Sequence, residues 1–538
     1  MSSRAAPPET LKDLLRRADQ AARAGLTAAQ FDALLASLDS AARPHAGCDG
    51  LLDFLRAHRP AARHADIDRV WVLALDEVWA RPAELAAPLA EYLALSPPVA
   101  AALSAPDPVS TAVLAALEAD LLLHRLLALS PLPQPRWEAL LAALAARLLI
   151  EAGAACQRYP RLLVALALWA QQTGRLALPT TDATVRAAAH ASLIAAAAQG
   201  RPPPEALLAW AFLAAAPEPG DWAPVLARLP AGELVRRLLA EPLAEAELAR
   251  SWPAATTVDA GLAAQYEDDP YPRWQAEPRR PWPPPAGVTR LLPARPRVLI
   301  AGCGSGQQLL RAADRYPGAR LQALDFSRSS LAYAQRACAA AGLRGVEWRC
   351  ADLLSLTGSG ARYDLVECIG VLHHLPDPAA GLAALASVLA PGGLLCAAVY
   401  SARARAEVRR LRELWPAPAF EGDEAVVRQG RAAYLRGDYG SPDPAIVGSI
   451  DFYSRAGCRD LLFNRRERHY RLPEFLAEAE AAGFDWLQLE APAPVAEQAA
   501  RRLGRPAERL DAAQWDAYEA DAPRSFGGMY QVWLRRRG

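Results

Sequence analysis

Arg297-Val298-Leu299-Ile300-Ala301-Gly302-Cys303-Gly304-Ser305-Gly306-Gln307 is the stretch whose reading decides the fold. An apolar run, Val298 to Ala301, breaks into three glycines spaced G-x-G-x-G. That pattern predicts a buried strand turning sharply into a helix. Glycines at such a turn let the backbone approach a ligand closely, and the free N–H groups of the following helix favour anions. A dinucleotide fingerprint, G-x-G-x-x-G, would place its third glycine at 307, which is Gln.

Outward from this loop, short apolar runs alternate with helix-length segments. The strand candidates are 297–303, 320–326, 345–351, 363–369, 394–400, 484–489 and 530–535. Strands separated by helices predict a doubly wound α/β sheet, in which ligands sit beyond the carboxyl ends of the strands. Asp325 ends the second run, where a carboxylate accepts from ribose hydroxyls, and Asp352 follows the third, where an acid accepts from an adenine amino group. The fourth run leads into Gly370-Val371-Leu372-His373-His374-Leu375-Pro376-Asp377-Pro378, and Pro391-Gly392-Gly393 turns into the fifth.

In this order the elements resemble the class I S-adenosylmethionine-dependent methyltransferases, strongly over about residues 295–400 and loosely over 401–538. The resemblance implies a seven-stranded Rossmann-like domain, S-adenosylmethionine as cofactor and no metal. It implies that Gly302, Cys303, Gly304 and Gly306 line the methionine and ribose portion. Asp325 would hold the ribose hydroxyls, Phe326 would pack on the adenine, and Asp352 with Leu353 would read the adenine edge. Cys368 and Gly370 would lie near the sulfonium and the amino group. Ala301 departs from the pattern, because the family has an acid ahead of the first glycine. The ammonium group then needs another acceptor, either the strand-four carbonyls or an acid of the 267–269 cluster.

Methyl transfer is an in-line displacement, so the protein mainly aligns the nucleophile and excludes water. A general base is needed only if the nucleophile is protonated. His373, His374, Glu367 and Tyr271 are the catalytic or positioning candidates, with Tyr266 beside them. The simpler reading of the histidine pair is that one ring packs and the other hydrogen-bonds at the cofactor mouth.

Upstream, Gln265-Tyr266-Glu267-Asp268-Asp269-Pro270-Tyr271-Pro272-Arg273-Trp274 crowds aromatics and acids into ten residues. Its prolines predict an extended lid, with Arg273 on the cofactor carboxylate and Tyr266 or Tyr271 over the methyl group. The plainer reading is a linker docked by its aromatics. Downstream, Arg459, Arg465, Arg466, Arg468 and Arg471, with Phe463 and Tyr470, fit a nucleic-acid surface or, preferably, a salt-bridged face, given Asp460, Glu467 and Glu474.

The chain reads as multidomain. Residues 1–255 are expected to form an all-α domain, either a degenerate helical repeat or a plain helical bundle, 256–296 a lid and linker, and 297–538 the methyltransferase domain with an insertion at 401–480. In the first part, Trp137, Leu140, Leu141, Leu144 and Leu148 share one helical stripe, as do Val113, Leu117 and Leu121. Prolines at 97–98, 131–135, 202–204 and 217–219 mark the joints.

Composition sets limits. Of 538 residues, 59 are Lys or Arg and 59 Asp or Glu, and Lys12 is the only lysine. P-loop and Schiff-base chemistry, which need a placed lysine, are excluded. Zero net charge disfavours a long nucleic-acid footprint. The 8 cysteines form no CxxC pair and predict free thiols in a reducing compartment. No apolar leader is visible, and Pro391-Gly392-Gly393 splits the uncharged stretch from Pro378 to Ala402, so a cytoplasmic protein without a membrane span is expected. The leading functional expectation is a methyltransferase whose helical domain recruits a protein or peptide substrate. The alternatives are a small-molecule methyltransferase, with the helical half dimerising or closing the pocket, and a non-catalytic cofactor-binding scaffold. Among the enzymatic readings a tRNA substrate comes third, disfavoured by the charge balance.

Overall fold

A computed structural model describes residues 65–105, 108–151, 153–178, 205–214, 232–257, 259–422 and 424–538, with a few isolated positions besides. The chain divides into two compact units. One holds Met1–Leu243, Trp274–Arg279 and Pro444–Arg455; the other holds Ala244–Arg273, Arg280–Asp443 and Ala456–Gly538.

The described part of the first unit is helical, and five of its helices are α1 (Thr111–Glu118), α2 (Leu121–Leu129), α3 (Pro135–Glu151), α4 (Pro160–Gln172) and α5 (Glu205–Ala214). On α3 the stripe from Trp137 to Leu148 is buried, as its spacing requires. The stripe ending at Leu121 is broken. Asp120 accepts from Leu123 N at 3.1 Å and caps α2, so α1 stops at Glu118 and Leu121 lies exposed in the next first turn. Pro97 and Pro135 open helices, whereas the prolines at 202–204 and 217–219 lie outside the described residues.

The second unit is built on seven strands: β1 (Arg297–Ala301), β2 (Arg320–Asp325), β3 (Glu347–Cys350), β4 (Tyr363–Ile369), β5 (Leu389–Tyr400), β6 (Phe484–Leu489) and β7 (Met529–Arg536). Their order is β3-β2-β1-β4-β5-β7-β6. The first five pair in parallel, while β7 runs antiparallel to both β5 and β6. Every predicted strand is present. β5 starts earlier than its apolar run, at Leu389, and takes up the Pro391-Gly392-Gly393 turn as an irregularity opposite Tyr363 and Leu365. The uncharged stretch is thus a helix, Pro378–Val388, followed by a strand. Among the described residues no single helix is long and apolar enough to cross a membrane.

Side-chain alternation sorts the sheet into two faces. Leu299, Ala301, Val366, Cys368, Leu395, Ala397 and Val399 belong to one apolar core with Leu385, Leu472 and Phe475. The opposite face carries Ile300 and Ala398 but also Asp325, Glu367, Tyr400 and Gln531. Polar groups on a buried sheet face mark where a ligand belongs.

Leu299 is fully buried at the sheet centre. Leu299→Ala should destabilise the protein by about 2–5 kcal/mol, read as a lower denaturant midpoint at unchanged slope.

Candidate active site

Beyond β1 the backbone turns through Gly302, Gly304 and Gly306, with φ of +76°, +49° and +84°, before the helix α6 (Gln307–Arg315) begins. At all three a side chain has no room, and a Cβ on Gly302 would collide with Val371. A Cβ on Gly304 would lie 2.9 Å from the carbonyl oxygen of Tyr271, and one on Gly306 would lie 2.8 Å from Cβ of Ala334 on α7 (Arg328–Ala340). The close approach of the Tyr271 carbonyl places the Tyr271-Pro272 segment directly on the glycine loop.

Asp325, at the end of β2, is 7% exposed and accepts from Gly304 N at 2.8 Å and Ser327 N at 2.9 Å. Burial pushes its pKa up to about 6 although both hydrogen bonds favour the charged form. Each oxygen therefore takes one backbone donor and keeps capacity for another, which a ribose diol supplies. Asp352 is buried likewise and accepts from Leu354 N at 2.8 Å, with Leu353 beside it.

A cavity of about 330 Å³ runs from these two acids across the glycine loop to Tyr400. Of the candidates from sequence, Tyr266, Tyr271, Gly302, Cys303, Gly304, Asp325, Phe326, Asp352, Leu353, Glu367, Gly370 and His374 line it. Four do not. Gly306 packs on α7, and Cys368 lies in the core on the other sheet face, where burial pushes its thiol up to about 12. Arg273 pairs with Asp269 at 3.3 Å. His373 is fully buried, stacks 4.0 Å from Tyr400, and has a pKa driven well below the usual value by burial.

His374 differs from its neighbour. Its Nδ1 lies 2.6 Å from the carbonyl oxygen of Arg466, so that nitrogen carries the proton and Nε2 is the acceptor of the neutral ring. Glu367 accepts from Gln308 at 2.7 Å and from the Tyr316 hydroxyl at 2.5 Å.

The segment expected to be an extended lid or linker is half helix. Residues Ala260–Asp268 form α8, capped by Asp259, which accepts from Leu262 N at 2.9 Å. Pro270 constrains only the residue before it, so the helix continues through Asp268 and the extended segment begins at Asp269. Its acids are engaged elsewhere: Glu267 with Arg328 at 2.9 Å, Asp268 with Arg459 at 3.1 Å and Asp269 with Arg273. None of the three lines the cavity. The arginine run is paired too, Arg465 and Arg466 with Asp259, Arg468 with Glu478, and Arg471 with Asp516.

Reading the sequence did not single out the cavity residues Asp460, Tyr400, Gln308, Arg311 and Gln531 as site residues. Tyr266 OH donates to Asp460 at 2.7 Å and Tyr400 OH at 3.3 Å, and Asn464 donates to both Asp460 and Tyr266. Tyr400 had a readable signal, the carboxyl end of a predicted strand. Asp460 had none beyond its place in a charged run.

A family model described as a methyltransferase domain matches residues 298–393, from β1 into β5. These residues of the second unit belong to a class I S-adenosylmethionine-dependent methyltransferase domain. The methyltransferase domain has S-adenosylmethionine as its cofactor, and the glycine cradle and the half-satisfied Asp325 fit it. An uncharacterised protein of Synechococcus sp. is 34% identical over 231 residues, 40% of this chain and 51% of that protein. A ubiquinone biosynthesis O-methyltransferase of Xanthomonas axonopodis is 37% identical over 107 residues, 20% of this chain and 44% of the enzyme. The chain thus spans about half the length of the curated relatives it matches. PKMT2 from Rickettsia typhi, solved with AdoHcy, is 16% identical with a TM-score of 0.34, over 46% of this chain and 51% of that one, too distant to carry an argument.

Asp325 yields a pH prediction. If Asp325 accepts from ribose hydroxyls, it does so in its charged form, and cofactor affinity then requires the deprotonated carboxylate. Calorimetric binding of S-adenosylhomocysteine should be flat above about pH 6 and weaken by up to about tenfold per unit below it. The free fold responds oppositely. Its Asp325 pKa lies above the ordinary 3.8, so protonation there adds stability as pH falls through the same window.

Proposed function

We propose that this chain transfers a methyl group from S-adenosylmethionine to a small acceptor that enters the cavity between the glycine loop and Tyr400. One observation carries the reading: the buried carboxylates Asp325 and Asp352 and the residues at the end of β5 open into a single cavity. When bound, the cofactor supplies an already activated methyl group. The protein's work is then to bind, orient and exclude water.

Asp325 and Asp352 hold the nucleoside, and the Tyr271-Pro272 segment closes the glycine loop. Tyr266, edge-on to Phe326 with ring centroids 6.1 Å apart, roofs the middle of the cavity. His374 presents Nε2 as an acceptor. A roofed cavity of about 330 Å³ that must also hold the cofactor leaves no space for a bulky acceptor and suits a small molecule or one slender side chain, and a small acceptor agrees with the similarity to ubiquinone biosynthesis O-methyltransferases. Recruitment of a protein or peptide by the helical unit is the second reading, since a single side chain also fits.

Incubation of the protein with radiolabelled S-adenosylmethionine and size-fractionated lysate separates them. Label should enter the small-solute fraction and vanish with Asp325→Ala. Label confined to proteins would overturn the small-acceptor reading in favour of recruitment, and no labelling despite cofactor binding would overturn both.

A further inference from the structure

Five acids line the cavity: Asp259, Asp325, Asp352, Glu367 and Asp460. Asp325 and Asp352 are positioned for the nucleoside. Asp259 pairs with Arg466 at 3.3 Å, and Glu367 is held by Tyr316 and Gln308. Asp460, like Glu367, is buried with neutral donors as its partners, here Tyr266, Tyr400 and Asn464; unlike the Tyr316 that holds Glu367, its two tyrosines themselves line the cavity. Among the described residues no arginine or histidine forms an ion pair with it.

The donor count sharpens this. The hydroxyl protons of Tyr266 and Tyr400 both go to Asp460. The amide nitrogen of Asn464 serves Asp460 at 3.1 Å and Tyr266 at 3.0 Å. The cluster's strong donors are therefore used internally, and what it offers the cavity is oxygen lone pairs, aromatic faces and one negative charge. Such a surface takes a hydrogen-bond donor, and a cationic nitrogen best of all. A buried carboxylate without an ion pair is costly; the charge of Arg405 acts on Asp460 from nearby, and a cation arriving in the cavity adds to that compensation.

Its place in the fold says which cation. Tyr400 ends β5, two strands from β1 in the order β1-β4-β5. At a strand spacing of about 4.8 Å, that is about 10 Å from the glycine loop, on the side away from Asp325 and Asp352. Tyr400 is fixed there between the His373 ring at 4.0 Å and the Arg405 guanidinium at 4.0 Å, and Arg405 is itself clasped by Glu467 at 2.7 Å. The cluster is thus a rigid seat on the acceptor side.

We propose that Asp460, with Tyr266 and Tyr400, seats an amine, so that the acceptor of this methyltransferase domain is a basic nitrogen. The inference rests on the methyltransferase reading. A protonated amine must lose one N–H proton before its lone pair is free: Asp460 Oδ2 would accept that proton, and the freed lone pair would form the N–CH3 bond as the cofactor's S–CH3 bond breaks and S-adenosylhomocysteine leaves.

The test is calorimetry with two cofactor analogues: S-adenosylhomocysteine, and sinefungin, which carries an amine where the cofactor carries its transferable methyl. Wild type should bind sinefungin about tenfold or more tightly than S-adenosylhomocysteine, the range of a charge-assisted hydrogen bond. Asp460→Asn should bring the two within about twofold while leaving S-adenosylhomocysteine affinity unchanged. Tyr400→Phe, which retains the carboxylate, should keep the preference and so separate charge from packing. Equal loss of both ligands in Asp460→Asn would assign the cluster to the cofactor's own ammonium group and overturn the proposal. So would a sinefungin preference that survives the substitution. Failure of wild type to bind either ligand would instead overturn the methyltransferase reading beneath it.

Discussion

The buried carboxylate of Asp325, held between the Gly304 and Ser327 amides at 2.8 and 2.9 Å, is the constraint around which the cofactor half of the site is arranged. Burying an anion costs several kcal/mol unless donors compensate. Here two backbone donors compensate in part, and a pKa near 6 records the remainder. For the Gly304 amide to reach that carboxylate, the loop must turn with positive φ, which excludes ordinary side chains. The same turn leaves room for the Tyr271 carbonyl to lie against Gly304. Glycine loop, acid and the Tyr271-Pro272 segment are therefore one solution to one desolvation problem, which a ribose diol, in the proposed binding mode, would complete.

The acceptor half is held differently. Ion pairs such as Arg466 with Asp259 and Arg459 with Asp268 tie the lid helix to the segment following β5, but they sit near solvent, where each contributes little. Their worth lies in placing Tyr266 over Asp460, a bond made in the interior. A chain with one lysine meets its cationic needs with arginine, and the structure uses what distinguishes the two. Arg405 stacks 4.0 Å over Tyr400 while gripping Glu467, and Arg315 stacks 4.7 Å over Trp282 while gripping Glu490. A planar guanidinium can face a ring and fork a carboxylate together, which an ammonium does poorly.

What was legible in the sequence follows from distance along the chain. The strands, the glycine loop and the acids after β2 and β3 are local patterns, and all appear where their spacing put them. The roof is not local. Tyr266 and Asp460 are 194 residues apart, and nothing in either neighbourhood names the other. Arg273 was misread for a local reason, since Asp269 four residues earlier takes the charge intended for a ligand. The helix in the lid was missed because two prolines were read as governing ten residues, whereas a proline restricts chiefly its own position and the one before. Likewise the apparent stripe through Leu121 ignored Asp120, whose cap starts a new helix.

The polar residues on the sheet divide labour along it. On β1 and β2 the inward face is apolar until the strand ends, where Asp325 stands. On β4, β5 and β7 it carries Glu367, Tyr400 and Gln531. A sheet face that only had to pack would be better filled by the valine and leucine of the opposite side. Each polar group has instead been given partners: Tyr316 and Gln308 for Glu367, Asp460 for Tyr400, and Glu490 for Gln531 at 2.9 Å. Groups so held cannot swing to suit different ligands, because moving any one of them leaves a buried partner unsatisfied. The cofactor end, built largely from backbone amides and strand-end acids, follows from the fold itself. The β4–β5–β7 end is built from side chains that this sequence chose and locked, which is why the proposed acceptor seat belongs to that end.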